Sequence, residues 1–265
     1  MAISAKEVSA LREKTGAGMM DCKRALTEAN GDMEKALDVL RKNGMAKAEK
    51  KSGRATHEGK IVAKVEGNKA AMVEILCETD FVAKNEKFQG FCNEILADTL
   101  QLEGNGCVTE KLQAEKKDVL TNMIATIGEN MQLRRAAKWE TTGKVATYLH
   151  MGGRIGVIVE VEGEVSDETM NALCMHIAAF RPEFICSGCI PEDRIAHEKE
   201  IAAAQIQGKP AAMVEKIVEG KINKWFTEVC LINQPWILDD KTSFAKLNPK
   251  AVVKRFLRWE VGEEL

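Results

Sequence analysis

The sequence predicts an α+β protein: an N-terminal three-helix module, two related antiparallel-sheet α+β subdomains, and an inserted antiparallel helical hairpin. Three observations predict it. Three short apolar stripes at helical spacing follow one another between Ser4 and Gly44, each stopped at a glycine. A strand-turn-strand-helix pattern recurs after about 80 residues, the mark of an internal repeat. Beyond Ile190-Pro191 the chain turns polar, with a narrow apolar seam along two helical stretches. The boundaries fall at residues 1–54 for the module and its linker, 55–140 for the first core subdomain, and 141–265 for the second, with the hairpin at about 190–225.

In the module, Ser4-Ala5-Lys6-Glu7 has the reciprocal pattern of a capping box, and Val8 and Leu11 open a stripe that stops at Thr15-Gly16-Ala17-Gly18. A second helix starts at Met19, turns Cys22, Ala25, Leu26 and Ala29 inward, and ends at Asn30-Gly31. Asp32 caps a third, with Ala36, Leu37 and Leu40 inside and Gly44 as its stop. Met45 to Arg54, rich in Lys, Ala and Glu, reads as a solvated helical linker.

The first subdomain opens with Gly59 to Ala63, turns at Gly67-Asn68, and returns with Ala71, Val73, Ile75 and Cys77 on an apolar face opposite Met72, Glu74, Leu76 and Glu78. Asn85 caps the helix that follows, in which Phe88, Phe91, Ile95 and Leu96 form the buried stripe. Leu112, Leu120, Met123, Ile124 and Ile127 mark a further helix, ended by Gly128. The second subdomain repeats the plan: Gly143 to Thr147, a turn at Met151-Gly152-Gly153, Ile155 to Glu160, then a helix with Met170, Leu173 and Ile177 inside. In the hairpin, Ile195, Ala202 and Ile206 can face Met213, Ile217 and Val218 across a break at Gly208-Lys209-Pro210. Val253 to Val261 alternates as a last strand returning to the second sheet.

Composition narrows the function. With 265 residues, 45% of them hydrophobic, the chain has enough apolar material for real cores. Its 38 Lys and Arg stand against 40 Asp and Glu, so no overall positive field exists to hold nucleic acid. Neither a signal core near Met1 nor an apolar run of the roughly 18 residues a membrane span needs is present, which makes the expected location cytoplasmic. The eight cysteines are scattered singly apart from Cys186-Ser187-Gly188-Cys189. That pair has the spacing to bind zinc or cycle as a disulfide, but no second pair completes a zinc site, so neither a metal nor another cofactor is expected.

Nor does a catalytic group emerge. No phosphate-cradling loop occurs, and Gly152-Gly153-Arg154-Ile155-Gly156 lies in a hairpin rather than opening a helix, so the chain is not expected to bind a nucleotide itself. His57, His150, His176 and His197 are isolated from one another. His176, on an apolar helix, reads as a structural histidine; His150, near a hairpin tip, as one open to a partner.

The most informative misfit is Phe81. In Glu78-Thr79-Asp80-Phe81-Val82-Ala83-Lys84-Asn85 it belongs to neither the strand before nor the helix after. An aromatic on a connection, next to a carboxylate, suits a surface that a partner buries. A loop Phe folded back onto its own core is the competing reading, and composition does not separate the two.

Four motifs together carry a resemblance. Thr15-Gly16-Ala17-Gly18-Met19-Met20-Asp21-Cys22-Lys23, Thr79-Asp80-Phe81-Val82-Ala83-Lys84-Asn85, Ile127-Gly128-Glu129-Asn130 and Arg258-Trp259-Glu260-Val261-Gly262 closely resemble bacterial elongation factor Ts, in order and over nearly the whole chain. The resemblance implies a guanine-nucleotide exchange factor that binds elongation factor Tu and speeds release of its GDP. It implies a ubiquitin-associated-like N-terminal module touching the partner's nucleotide domain through Arg12, Met19, Met20 and Lys23. It implies that Asp80 and Phe81, within Thr79 to Val82, press near the partner's magnesium side. It also implies that the second subdomain reaches the partner's third domain, with Ile127, Gly128 and His150 at the matching positions, and that the helical hairpin corresponds to the family's coiled-coil insertion. Met151 stands as an extra residue beside His150. Two other readings compete: an adaptor without exchange activity that uses the three-helix module, and a thiol enzyme centred on Cys186 and Cys189.

Overall fold

A computed structural model describes residues 3–206 and 211–265, arranged in two compact units. The first comprises the described residues up to Val62, with Ala71–Lys138 and Glu260–Leu265; the second comprises Ala63–Ala70 and Trp139–Trp259. The expected break at Gly208-Lys209-Pro210 lies outside the described residues.

The first unit begins with three helices. α1 (Ala5–Thr15) starts at a complete capping box: Glu7 N donates to Ser4 Oγ at 3.3 Å, and Ser4 N donates to the Glu7 carboxylate at 2.7 Å. It ends at Gly16 with φ 66°, the left-handed geometry that glycine adopts without strain. α2 (Met19–Glu28) and α3 (Met33–Lys51) follow, the latter capped by Asp32, which accepts from the amides of Glu34 and Lys35. Val8, Leu11, Cys22, Ala25, Leu26, Ala29 and Ala36 close over one small core. Gly44 does not stop α3. The helix runs on to Lys51 because Gly44 is a buried contact position, where a Cβ would sit 3.4 Å from that of Ala125. The stretch read as a solvated helical linker is helical as far as Lys51, but continuous with α3 rather than set off from it.

Next come β1 (Glu58–Glu66), β2 (Lys69–Cys77), the single turn α4 (Asp80–Ala83), α5 (Glu86–Gln101), β3 (Gly106–Cys107), α6 (Thr109–Ile127) and β4 (Met131–Glu140). The sheet runs in the order β1-β2-β4-β3, with β3 antiparallel to β4 and Gly106 opposite Lys138. Phe88, Phe91, Ile95 and Leu100 of α5, Leu112 and Ile124 of α6, Val73 and Ile75 of β2, and Leu133 of β4 share one core. Each such side chain, fully buried, contributes on the order of 1.5–3 kcal/mol.

β2 departs from the expected one-sided strand. It is buried from Ala70 to Cys77, so Met72, Glu74 and Leu76 are covered as well. Glu74 is completely inaccessible, and its charge is met by Arg134 Nη1 at 3.1 Å, by Arg135 Nε, and by the Gly262 amide at 2.9 Å. β4 was not expected at all: Arg134, Arg135 and Lys138 interrupt its alternation, and two of these three charges exist to pair with Glu74.

The second unit holds β5 (Lys144–His150), β6 (Ile155–Glu162), α7 (Asp167–Phe180), α8 (Glu192–Ala204), α9 (Ala211–Val229), α10 (Phe244–Leu247) and β7 (Val252–Glu260). Its sheet is ordered β5-β6-β7, with β5 antiparallel to β6 and Thr147 opposite Ile158. Ser166 caps α7 through the Thr169 amide. Met170, Leu173 and Ile177 pack with Val157, Val159, Val161, Trp236 and Phe244. Helices α8 and α9 pack on one another, with Ala202 and Ile206 buried. Met213, expected in the seam, is 54% exposed. His176 is buried between the rings of Phe180 and Trp236, and its Nε2 bonds the Gln234 amide oxygen at 2.9 Å. Burial holds its pKa below the ordinary histidine value, as expected for a structural histidine.

Candidate functional site

The segment after β2 is short because its ends are pinned. Thr79 is extended and accepts the Val82 amide on its hydroxyl at 3.3 Å, while Ala83 N and Lys84 N close onto the carbonyls of Thr79 and Asp80. Asn85 then caps α5 through the Lys87 amide at 2.9 Å. The expected plain connection is therefore a one-turn helix, too short to show periodicity. Val82 and Ala83 turn inward against the core of α5 and β2, which leaves Phe81 pointing out. It is 82% exposed, so the reading in which Phe81 folds back onto its own core does not hold. Beside it, Asp80 is half exposed, and Lys84 Nζ at 2.7 Å holds its carboxyl below the usual carboxylate range.

Residues beyond α6 hold this turn from the other side. The Glu129 carboxylate accepts from Glu78 N at 3.1 Å, Thr79 N at 3.0 Å and Thr79 Oγ1 at 2.6 Å. The Glu78 carboxylate in turn accepts from Asn130 N, and the Asn130 side-chain amide donates to the carbonyls of Ser52 and Arg54. Gly128 makes the connection possible, since its φ of 94° turns the chain straight out of α6. Glu78, Glu129 and Asn130 were missed as site residues. The acid-amide pair directly after the glycine is the available signal: it marks a helix end and carries part of the resemblance, without revealing that it holds the turn.

The remaining expected site residues lie on both units. In the first, Arg12 and Lys23 are exposed on α1 and α2, and Met19 and Met20 at the start of α2 are 51% and 65% exposed. Large apolar side chains this open are available for contact, and unbranched Met adapts its shape to what it meets. Behind them Lys47 Nζ meets Asp21 at 2.8 Å and is the main cause of its lowered pKa. Ile127 packs partly into the core of the first unit, beside exposed Gly128. Grouping these two with a surface of the second subdomain is corrected: they belong to the unit that carries Phe81. His150 lies in the second unit, exposed at the end of β5, with Nδ1 3.2 Å from the Tyr148 hydroxyl. Met151 next to it sits at φ 49° and is 69% exposed, adding an apolar contact to that tip.

These positions are protrusions rather than a pocket. A cleft of about 710 Å³ in the first unit is lined by α2, α3 and α6 residues such as Asp21, Lys47 and Asn122, not by Thr79 to Val82. Among the described residues, no group of three or more His, Cys, Asp or Glu is disposed to hold a metal. No described helix is long and apolar enough to cross a membrane.

A family described as elongation factor TS matches residues 78–263. Over 283 residues the chain is 46% identical to elongation factor Ts of Clostridium botulinum (strain Alaska E43 / Type E3), covering 98% of this chain and 93% of the relative. Elongation factor Ts of Clostridium perfringens (strain 13 / Type A) is 45% identical over 285 residues with the same coverage.

Proposed function

The chain belongs to the elongation factor Ts family, and from that premise we propose that it is a cytoplasmic guanine-nucleotide exchange factor for elongation factor Tu. It accelerates GDP release by stabilising a partner conformation in which the contacts to magnesium and the diphosphate are broken. No covalent step and no catalytic group on this chain is needed. The observation that carries the reading is Phe81, 82% exposed on a turn fixed by its own cap and by Glu129. An aromatic already held on an ordered turn enters a partner without the entropic cost of ordering a loop on binding.

In this mechanism Asp80 and Phe81 wedge beside the partner's magnesium site. Burying a Phe is worth about 1.5–3 kcal/mol, and each 1.4 kcal/mol of differential binding is about tenfold. One wedge is therefore useful but insufficient. Arg12, Met19, Met20 and Lys23 on the ubiquitin-associated-like module, and Ile127, Gly128 and His150, supply further contacts, while the α8–α9 pair serves as the family's coiled-coil arm. Linkage makes the effect reciprocal: the factor by which this protein weakens GDP binding is the factor by which GDP weakens binding of this protein.

The test is stopped-flow release of a fluorescent GDP from elongation factor Tu. The intact chain, at concentrations below that of its partner, is expected to accelerate release and to turn over. Unchanged release with both proteins folded would overturn the assignment and leave an adaptor role.

A further inference from the structure

We propose that Cys186 and Cys189 form a thiol–disulfide exchange site for low-molecular-weight disulfides, closing to an intramolecular disulfide. The geometry follows from the local helix type. Ser187–Cys189 is a 3-10 turn in which Cys189 N donates to Cys186 O at 3.0 Å. Cys186 is the extended N-cap of that turn and Cys189 its last residue, and the three-residue closure brings both sulfurs to one side. They lie 2.9 Å apart, and a bond of about 2.05 Å requires only a small approach.

Access leaves this pair and the solitary Cys107 as the reachable thiols. Cys189 is exposed and Cys186 is half-buried, whereas Cys22, Cys77, Cys92, Cys174 and Cys230 are buried. Burial pushes Cys77, Cys92 and Cys174 up to about 12, where the reactive thiolate is scarce at neutral pH; the Cys189 thiol is raised as well, by its hydrogen bond to Cys186, so access and the facing sulfur rather than acidity distinguish the pair. Cys230 is raised to about 11 by burial and by the neighbouring Cys186 and Cys189, so it stays a thiol behind them.

In the first step, one thiolate of the pair attacks a sulfur of the small disulfide; its S–S bond breaks, a mixed disulfide forms, and one small thiolate leaves. The second cysteine, deprotonated, then attacks the protein sulfur of the mixed disulfide and expels the other small thiolate. Two electrons pass from the cysteines to the reagent, and both thiol protons end on the two released small thiols.

The full chain incubated with glutathione disulfide, acid-quenched and mapped by mass spectrometry tests this. The expected result is loss of two hydrogens from the peptide holding Cys186 and Cys189, with no glutathione retained there. Cys107, exposed and bonded to the Thr109 hydroxyl, is the internal comparison and should keep its glutathione. Cys186→Ser and Cys189→Ser should each stop at the mixed disulfide. Glutathione retained on the wild-type pair, or an unmodified pair while Cys107 reacts, would overturn the proposal. The wild-type map decides this even if a variant misfolds.

Discussion

Replacing Glu129 by Ala removes the acceptor that holds the Phe81 turn while leaving Phe81 in place. Its carboxylate receives the amides of Glu78 and Thr79 at 3.1 and 3.0 Å and the Thr79 hydroxyl at 2.6 Å. Hydrogen bonds to a charged group are worth about 1.5–3 kcal/mol each, and a half-buried site takes the low end. The two amide bonds together are thus worth about 3 kcal/mol, or roughly 100-fold in the equilibrium for opening the turn. Hydrogen exchange by NMR on the isolated protein reads this directly. The Glu78 and Thr79 amides should lose protection by that order, the Phe91 and Ile95 amides of α5 far less. Glu129→Gln, which keeps one oxygen, should fall between. The same Glu129→Ala protein should accelerate GDP release less than wild type although it still carries Phe81. Protection of Glu78 and Thr79 unchanged within about threefold would refute the reasoning that Glu129 fixes the turn.

Two further outcomes follow from buried groups. Glu74→Ala should destabilise the protein by about 3–5 kcal/mol in urea unfolding, because it strips the buried arginine network of its carboxylate; Glu263, 2.7 Å from Arg135, moves the value toward the lower end. A loss below about 1 kcal/mol would mean the network relaxes freely. For His176, burial keeps the folded pKa below the unfolded value, so the unfolded chain binds more protons in the window between them. Its stability contribution is complete above about pH 6.5 and is lost as pH falls toward the folded pKa. Urea midpoints measured downward from neutral pH should decline in this window and decline less for His176→Gln; parallel curves would contradict the assignment.

Features that depend on near neighbours were legible in the sequence. The caps at Ser4, Asp32 and Asn85 and the stops at Gly16 and Gly128 are decided within one helical turn, and all stand where the pattern puts them. What needs a distant partner was not legible. Gly44 looks like a helix stop until Ala125 packs onto it. Glu74 looks like a solvent-facing residue until Arg134 and Arg135 arrive on β4, a strand that those same charges disguise. The site divides in the same way. Phe81 stood out because it fitted no periodic pattern, and its exposure follows from a turn only four residues long. Glu129 stands in a recognisable motif, but its role of holding the Phe81 turn is not readable there, because its three donors lie about 50 residues away in sequence, where spacing carries no signal.

The central claim is that Phe81 acts by being buried in the partner, and stopped-flow GDP release from elongation factor Tu with Phe81→Ala tests it most directly. Being 82% exposed, Phe81 contributes little to this chain's own fold, so the variant should unfold at the same urea concentration as wild type. If the burial energy of about 1.5–3 kcal/mol is expressed as differential binding, exchange should fall by roughly 10- to 100-fold. A folded Phe81→Ala protein that accelerates GDP release as fast as wild type would contradict the account.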